Sequence, residues 1–203
     1  MRRHQPNRKK NPFITRSLIR RNYKQGRNNQ VPDELLSTIV TLQKQGIEGD
    51  HNAVQKAFDI LEEIRRLYPT NHLVEAYYGS VLTLLGRDAL EPMERLEKVR
   101  NGLKFMDNGV QNEPDNIDIR IIRGYVCLRL PEVFFHRTQT AVDDFTYIIT
   151  RYETEPNIIS DTFYRQILRD LKQAYRTLGR EPDANSIQQK IDLQAGYEGG
   201  ESS

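Results

Sequence analysis

Tryptophan is absent and cysteine occurs once, as Cys127, so no intrachain disulfide can form. The chain also lacks any Asn-x-Ser/Thr acceptor, and a lone thiol without glycosylation sites does not fit an oxidised, secreted setting. Long apolar runs are missing. The apolar residues after Arg2 and Arg3 are broken up by Arg16, Arg20 and Arg21, which leaves neither the core of a signal peptide nor a membrane span. The expectation is a cytoplasmic protein with no transmembrane segment.

Catalytic signatures are wanting too. There is no phosphate-cradling G-x-x-x-x-G-K-Ser/Thr loop, no G-x-S-x-G elbow and no H-E-x-x-H pair. His4, His51, His72 and His136 share no metal-ligand spacing with one another or with Cys127. The carboxylates Asp115, Asp118, Asp143 and Asp144 have no partnering nucleophile nearby in sequence, and Asp115 after Pro114 reads as a helix start. Cys127, between Val126 and Leu128, reads as a small buried hydrophobe. No enzyme, cofactor or metal is expected.

Acidic residues are absent from the first thirty positions, which hold ten Lys or Arg, so the net charge of +2 resolves into +10 for that arm and −8 for the rest. The same arm has only Phe13, Ile14, Leu18 and Ile19 from the strongly apolar set. It cannot bury enough surface to offset its ordering entropy. The chain therefore divides into a basic, disordered arm over residues 1–31, a helical domain over 32–195 and a flexible tail over 196–203.

What is present in quantity is apolar residues at helical spacing. Ile, Leu, Val and Phe number 53 of 203, above the ~20% below which a chain tends to stay unfolded. From Pro32 onward they recur at three and four positions and nowhere alternate long enough for a strand. Eight helices can be drawn. Their inward faces carry Leu36, Ile39 and Val40, then Ala57 to Leu67, then Leu73 to Leu84. Met93 to Val110 and Ile117 to Leu128 supply the fourth and fifth. A sixth begins at Phe134 and runs through Phe145 to Tyr152, followed by Phe163 to Leu178 and Ala184 to Ile191. Gly46, Gly86, Pro131 and Gly179 follow alternate helices, and Pro69, Pro114 and Pro156 the others. Glycine suits a helix C-terminus and proline cannot continue one, so short connections join the helices into four antiparallel hairpins.

An internal repeat runs through them. Ala57, Leu61, Ile64 and Pro69 share their spacing with Gly102, Met106, Gly109 and Pro114, and Ala141, Phe145 and Ile148 copy the first three positions. Ten residues after Pro69 and Pro114 stand Gly79 and Gly124, each inside a helix, where glycine costs ~1 kcal/mol relative to Ala. A glycine at such a place permits close helix approach. The pattern resembles the tetratricopeptide repeat over about Pro32 to Leu193. It departs from that family in its longer unit, its lack of Trp and the long Gly86–Met93 connection. The resemblance implies an all-α fold, a right-handed stack of antiparallel helical hairpins, with a groove lined by the first helix of each hairpin that holds a protein or peptide partner.

Two groups of residues are candidates for contact. Arg120, Arg123, Tyr125, Phe134, His136 and Arg137 combine guanidinium forks with aromatics, a set able to grip a carboxylate- or phosphate-bearing peptide. The alternative is that Phe134 and Phe135 anchor the core and the arginines pair with Asp143, Asp144 or Glu75. In the arm, Arg8, Lys9, Lys10, Arg16, Arg20, Arg21, Lys24 and Arg27 can neutralise phosphates of a nucleic acid or an anionic surface; the alternative is a solvating tail, or one that folds back on the acidic body. The leading expectation is a non-catalytic adaptor, and the other is a nucleic-acid- or ribosome-associated protein contacting its target through the arm.

Overall fold

The computed structural model describes residues 31–199, with side chains through Gln194, and these residues are all-α. Nine helices follow one another: α1 (Asp33–Ile47), α2 (His51–Leu67), α3 (His72–Asp88), α4 (Pro92–Asn112), α5 (Ile117–Arg129), the single turn α6 (Glu132–Phe135), α7 (Thr138–Thr154), α8 (Asp161–Thr177) and α9 (Glu181–Gly199). The basic arm lies outside the described residues, as does the tail beyond Gly199. Val31 is 2% exposed and packs with the first hairpin.

Local chemistry fixes the helix starts. Asp50, Asn71, Asn116 and Ser160 each accept backbone N–H groups of the first turn of α2, α3, α5 and α8, and Pro92 opens α4 where its missing N–H costs nothing. The cap of α5 is thus Asn116, and Asp115 instead accepts the Tyr147 hydroxyl. The turns that follow the second helices repeat one another. Tyr68, Glu113 and Glu155 have φ of −125°, −127° and −135° with ψ of 63°, 71° and 77°.

Contacts between neighbours run antiparallel: Arg65 to Glu75, Gly79 to Gly102, Gly109 to Ile119, Gly124 to Phe145, Glu153 to Tyr164 and Lys172 to Gln188. The first helices also lie side by side, Gln43 Nε2 of α1 donating to the buried Ser80 Oγ of α3 at 2.6 Å, and Tyr125 of α5 donating to Asp170 of α8 at 2.9 Å. The result is a stack of helices around two cores. One holds α1, α2 and part of α3, the other extends from α3 to α9, and Tyr77 touches both.

Glycines allow the tightest of these contacts. A Cβ on Gly79 would stand 2.5 Å from the Gly102 carbonyl oxygen, and one on Gly102 would collide with the Gly79 carbonyl. A Cβ on Gly124 would meet the Phe145 ring at 2.8 Å. Gly46 and Gly86 serve the same purpose, against Val54 and Val99, and are not C-caps. Gly179, at φ 69°, does close its helix in the left-handed region.

Three residues expected on inward faces point out. Val40 is 45% exposed, Met93 76% and Phe134 75%. Phe134 is displaced because the expected sixth helix is broken. Pro131 starts the one-turn α6, His136 takes up φ 51°, and the Glu132 side chain accepts the N–H of Thr138 as α7 begins.

Gly102→Ala tests the crossing by sign. Helix propensity alone would make alanine stabilising by ~1 kcal/mol, whereas the backbone contact with Gly79 predicts a loss of ~1 to 3 kcal/mol, measured by urea denaturation.

Candidate functional site

Asp144 has no exposed surface. Its carboxylate receives Arg120 Nη1 at 2.9 Å and, in a fork, Arg123 Nε and Nη2, both at 2.8 Å. Arg123 turns its remaining Nη1 to Asp107 Oδ1 of α4 at 3.2 Å, and the same oxygen takes Arg137 Nη2. Two carboxylates from two helices thus bind three guanidiniums, and the buried acid accepts charge-assisted hydrogen bonds at both its oxygens. The carboxylates raise the affinity of Arg123 and Arg137 for their protons despite burial. Arg120 is fixed further by the Pro114 carbonyl at 2.7 Å and by the Tyr147 ring, 3.9 Å below its guanidinium carbon.

The six residues grouped by sequence therefore do not share a site. Arg120, Arg123 and Arg137 are joined to one another through Asp144 and Asp107. Tyr125 of α5 faces α8, edge-on to the Phe145 ring, tilted against the Phe163 ring and bonded to Asp170. Phe134 and His136 stand in solvent on α6 and its end, the His136 side chain being 77% exposed. Of the acids named as partners, Asp144 takes two arginines, Glu75 is bonded by Arg65 at 2.6 and 2.8 Å, and Asp143 accepts Gln139. Arg8, Lys9, Lys10, Arg16, Arg20, Arg21, Lys24 and Arg27 lie outside the described residues.

Cys127 is fully buried, and burial pushes its thiol up to about 11, so it is not a ready nucleophile. Among the described residues no group of His, Cys, Asp or Glu is arranged to hold a metal ion. No helix among them is long and apolar enough to cross a membrane.

Two surfaces remain available. The first is the row of first helices, where Leu36, Tyr77, Ile121 and Tyr125 are half-buried and Val40 is exposed. The second is the edge where the first and second helices of each hairpin connect. Of seven large apolar residues exposed among those described, five lie there: Ile47, Leu90, Met93, Val133 and Phe134, with Leu90 at 91%. That edge is tied together. Arg87 Nη1 donates to the Gly46 carbonyl at 3.0 Å, His51 Nδ1 lies 2.7 Å from Asp88, and Arg180 of the last connection reaches Gln139 at the start of α7. Sequence patterning missed Leu90 because it falls between helices, and misassigned Met93 and Phe134 because both keep the helical spacing of their neighbours.

No family model, no curated protein and no solved structure matches this chain.

Breaking the arginine network by removing one partner of a buried pair costs ~3 to 5 kcal/mol, so Asp144→Asn is expected to lose stability on that scale in urea denaturation. Asp143→Asn, next door and exposed, stays within ~0.5 kcal/mol of the parent. Alkali provides a second test. Burial, and then Asp118, push the Tyr77 hydroxyl up to about 12; burial raises Tyr125 and Tyr164 as well, helped by Asp170 and Glu153. Groups raised above the unfolded value of ~10 contribute stability that is present below that pH and lost as pH rises through the folded values. Tyrosinate absorbance should therefore show part of the tyrosines titrating only together with the loss of helical circular dichroism.

Proposed function

We propose that the chain is a non-catalytic scaffold of tetratricopeptide-like hairpins that holds a partner protein, making and breaking no bond. The observation that carries the reading is the concentration of exposed apolar side chains on one edge of the stack. Solvated apolar groups gathered in one region mark interaction sites, and large side chains such as Phe134 supply most of the energy of such contacts. The chain's own charges support it from the other side. Asp144 and Asp107 hold Arg120, Arg123 and Arg137 in place, so the arginines position α5 and α7 while Phe134 and His136 meet the partner. A cytoplasmic setting suits the single, buried thiol of Cys127.

A second reading is favoured by one feature of the sequence, the ten cations and no acids of residues 1–30. In it the arm contacts RNA, DNA or another anionic surface, and the helices position it. A peptide of residues 1–32 would then bind RNA on its own with an affinity that falls steeply with salt.

Val133→Ser with Phe134→Ser tests the first reading. Both side chains are more than 70% exposed, so stability should stay within ~0.5 kcal/mol. Loss of one aromatic anchor of ~2 kcal/mol reduces capture of a nuclease-resistant partner from cell extract about thirtyfold. Unchanged capture by the double variant would remove the edge from the account.

A further inference from the structure

On the part of the edge that belongs to the first two hairpins, Leu90 is 91% exposed, Met93 76% and Ile47 39%. Exposed acids stand next to them along the chain: Glu48 and Asp50 in the first connection, and Glu91, Glu94 and Glu97 in the second connection and the first turns of α4. Cations are fewer there, Lys44 of the last turn of α1 and three that bond the edge itself. Arg87 forks onto Asp88 and bonds the Gly46 carbonyl, Arg95 bonds the Ala89 carbonyl and Lys98 pairs with Glu94. An apolar surface flanked by acids fits an occupant that is both apolar and cationic.

The chain contains such a segment. Phe13, Ile14, Leu18 and Ile19 are its only strongly apolar residues before Val31, and Arg16, Arg20 and Arg21 are interleaved with them. Reach is no obstacle. The helix α1, which leads from the buried Val31 to this edge, is 15 residues long, or ~22 Å at 1.5 Å per residue. The twelve residues from Ile19 to Val31 span up to ~40 Å when extended. Tethering also sets a local concentration on the order of millimolar, so a weak contact is populated.

We infer that residues 13–21 dock on the edge formed by Ile47, Leu90 and Met93, their apolar side chains covering these three and their arginines facing the flanking acids. The arm then competes with any partner for part of the edge, and an anionic surface that draws the arm away frees it. The inference rests on the reading of this edge as a docking surface, but its test needs no partner, so capture from extract and arm docking can fail separately.

Ser17→Cys in the full chain places a spin label inside the segment, while the buried thiol of Cys127 stays unlabelled. At ~0.15 M salt the amide signals of Gly49, Leu90, Glu91, Met93 and Glu94 should lose at least half their intensity, and those of the exposed Asn185 and Gln189 of α9 should keep theirs. Tenfold dilution should change nothing. Leu90→Asp with Met93→Asp should restore the signals without altering the melting temperature, since both side chains are exposed. Full intensity at Leu90, Glu91, Met93 and Glu94, or broadening centred on the first-helix row at Leu36 and Tyr77, overturns the proposal. Broadening that disappears on dilution overturns it too, by making a second copy the occupant.

Discussion

Two helix backbones touch at Gly79 and Gly102, each occupying the space that a Cβ on the other would need. This contact holds α3 against α4 and leaves α3 with a side for each core: Val74, Tyr78, Val81 and Leu82 pack with the first hairpin, and Ala76 with the rest. Without it the helices would stand apart by the depth of a side chain, and the two cores would lose the element they share. The next hairpin repeats the arrangement in a looser form, Gly124 receiving the Phe145 ring in place of a backbone. Glycine weakens a helix locally, and the tertiary contact is what repays that cost.

The second constraint is electrostatic. Asp144 lies where no water reaches it, and burying a polar group without hydrogen-bond partners is costly. Arg120 and Arg123 satisfy it from α5, and Asp107 accepts Arg123 Nη1 and Arg137 Nη2, while Arg137 Nε is buried without a hydrogen-bond partner among the described residues. The network thus locks α4, α5 and α7 in one relative position. It also withdraws from the surface the charges that sequence inspection marks for recognition. What stays outside at this point of the stack is Val133, Phe134 and His136, on a turn held by Pro131 and by the Glu132 carboxylate on the Thr138 N–H.

Much of the fold was legible in the sequence because local rules govern it. Apolar spacing marked the helices, Pro69 and Pro114 marked the turns that repeat in the structure, and Gly79 and Gly124 stood out as glycines whose propensity cost needed a tertiary reason. The site was less legible. Arg123 and Asp144 are 21 residues apart, and Asp144 carries no local sign that separates it from its exposed neighbour Asp143. Periodicity likewise places Met93 and Phe134 with the core, since it cannot register that one sits in a first turn and the other on a helix broken by His136. Gly46 and Gly86 read as helix ends, yet they act as contact points under Val54 and Val99.

The central claim is that the connecting edge of the stack is where a partner is held. A photo-reactive amino acid placed at Phe134 in the full chain, and separately at the exposed Asn185 of α9, tests it in cells with ultraviolet irradiation. The account predicts a discrete covalent adduct with another protein from position 134 and none from position 185. Adducts from 185 alone, or the same adducts from both positions, would contradict it.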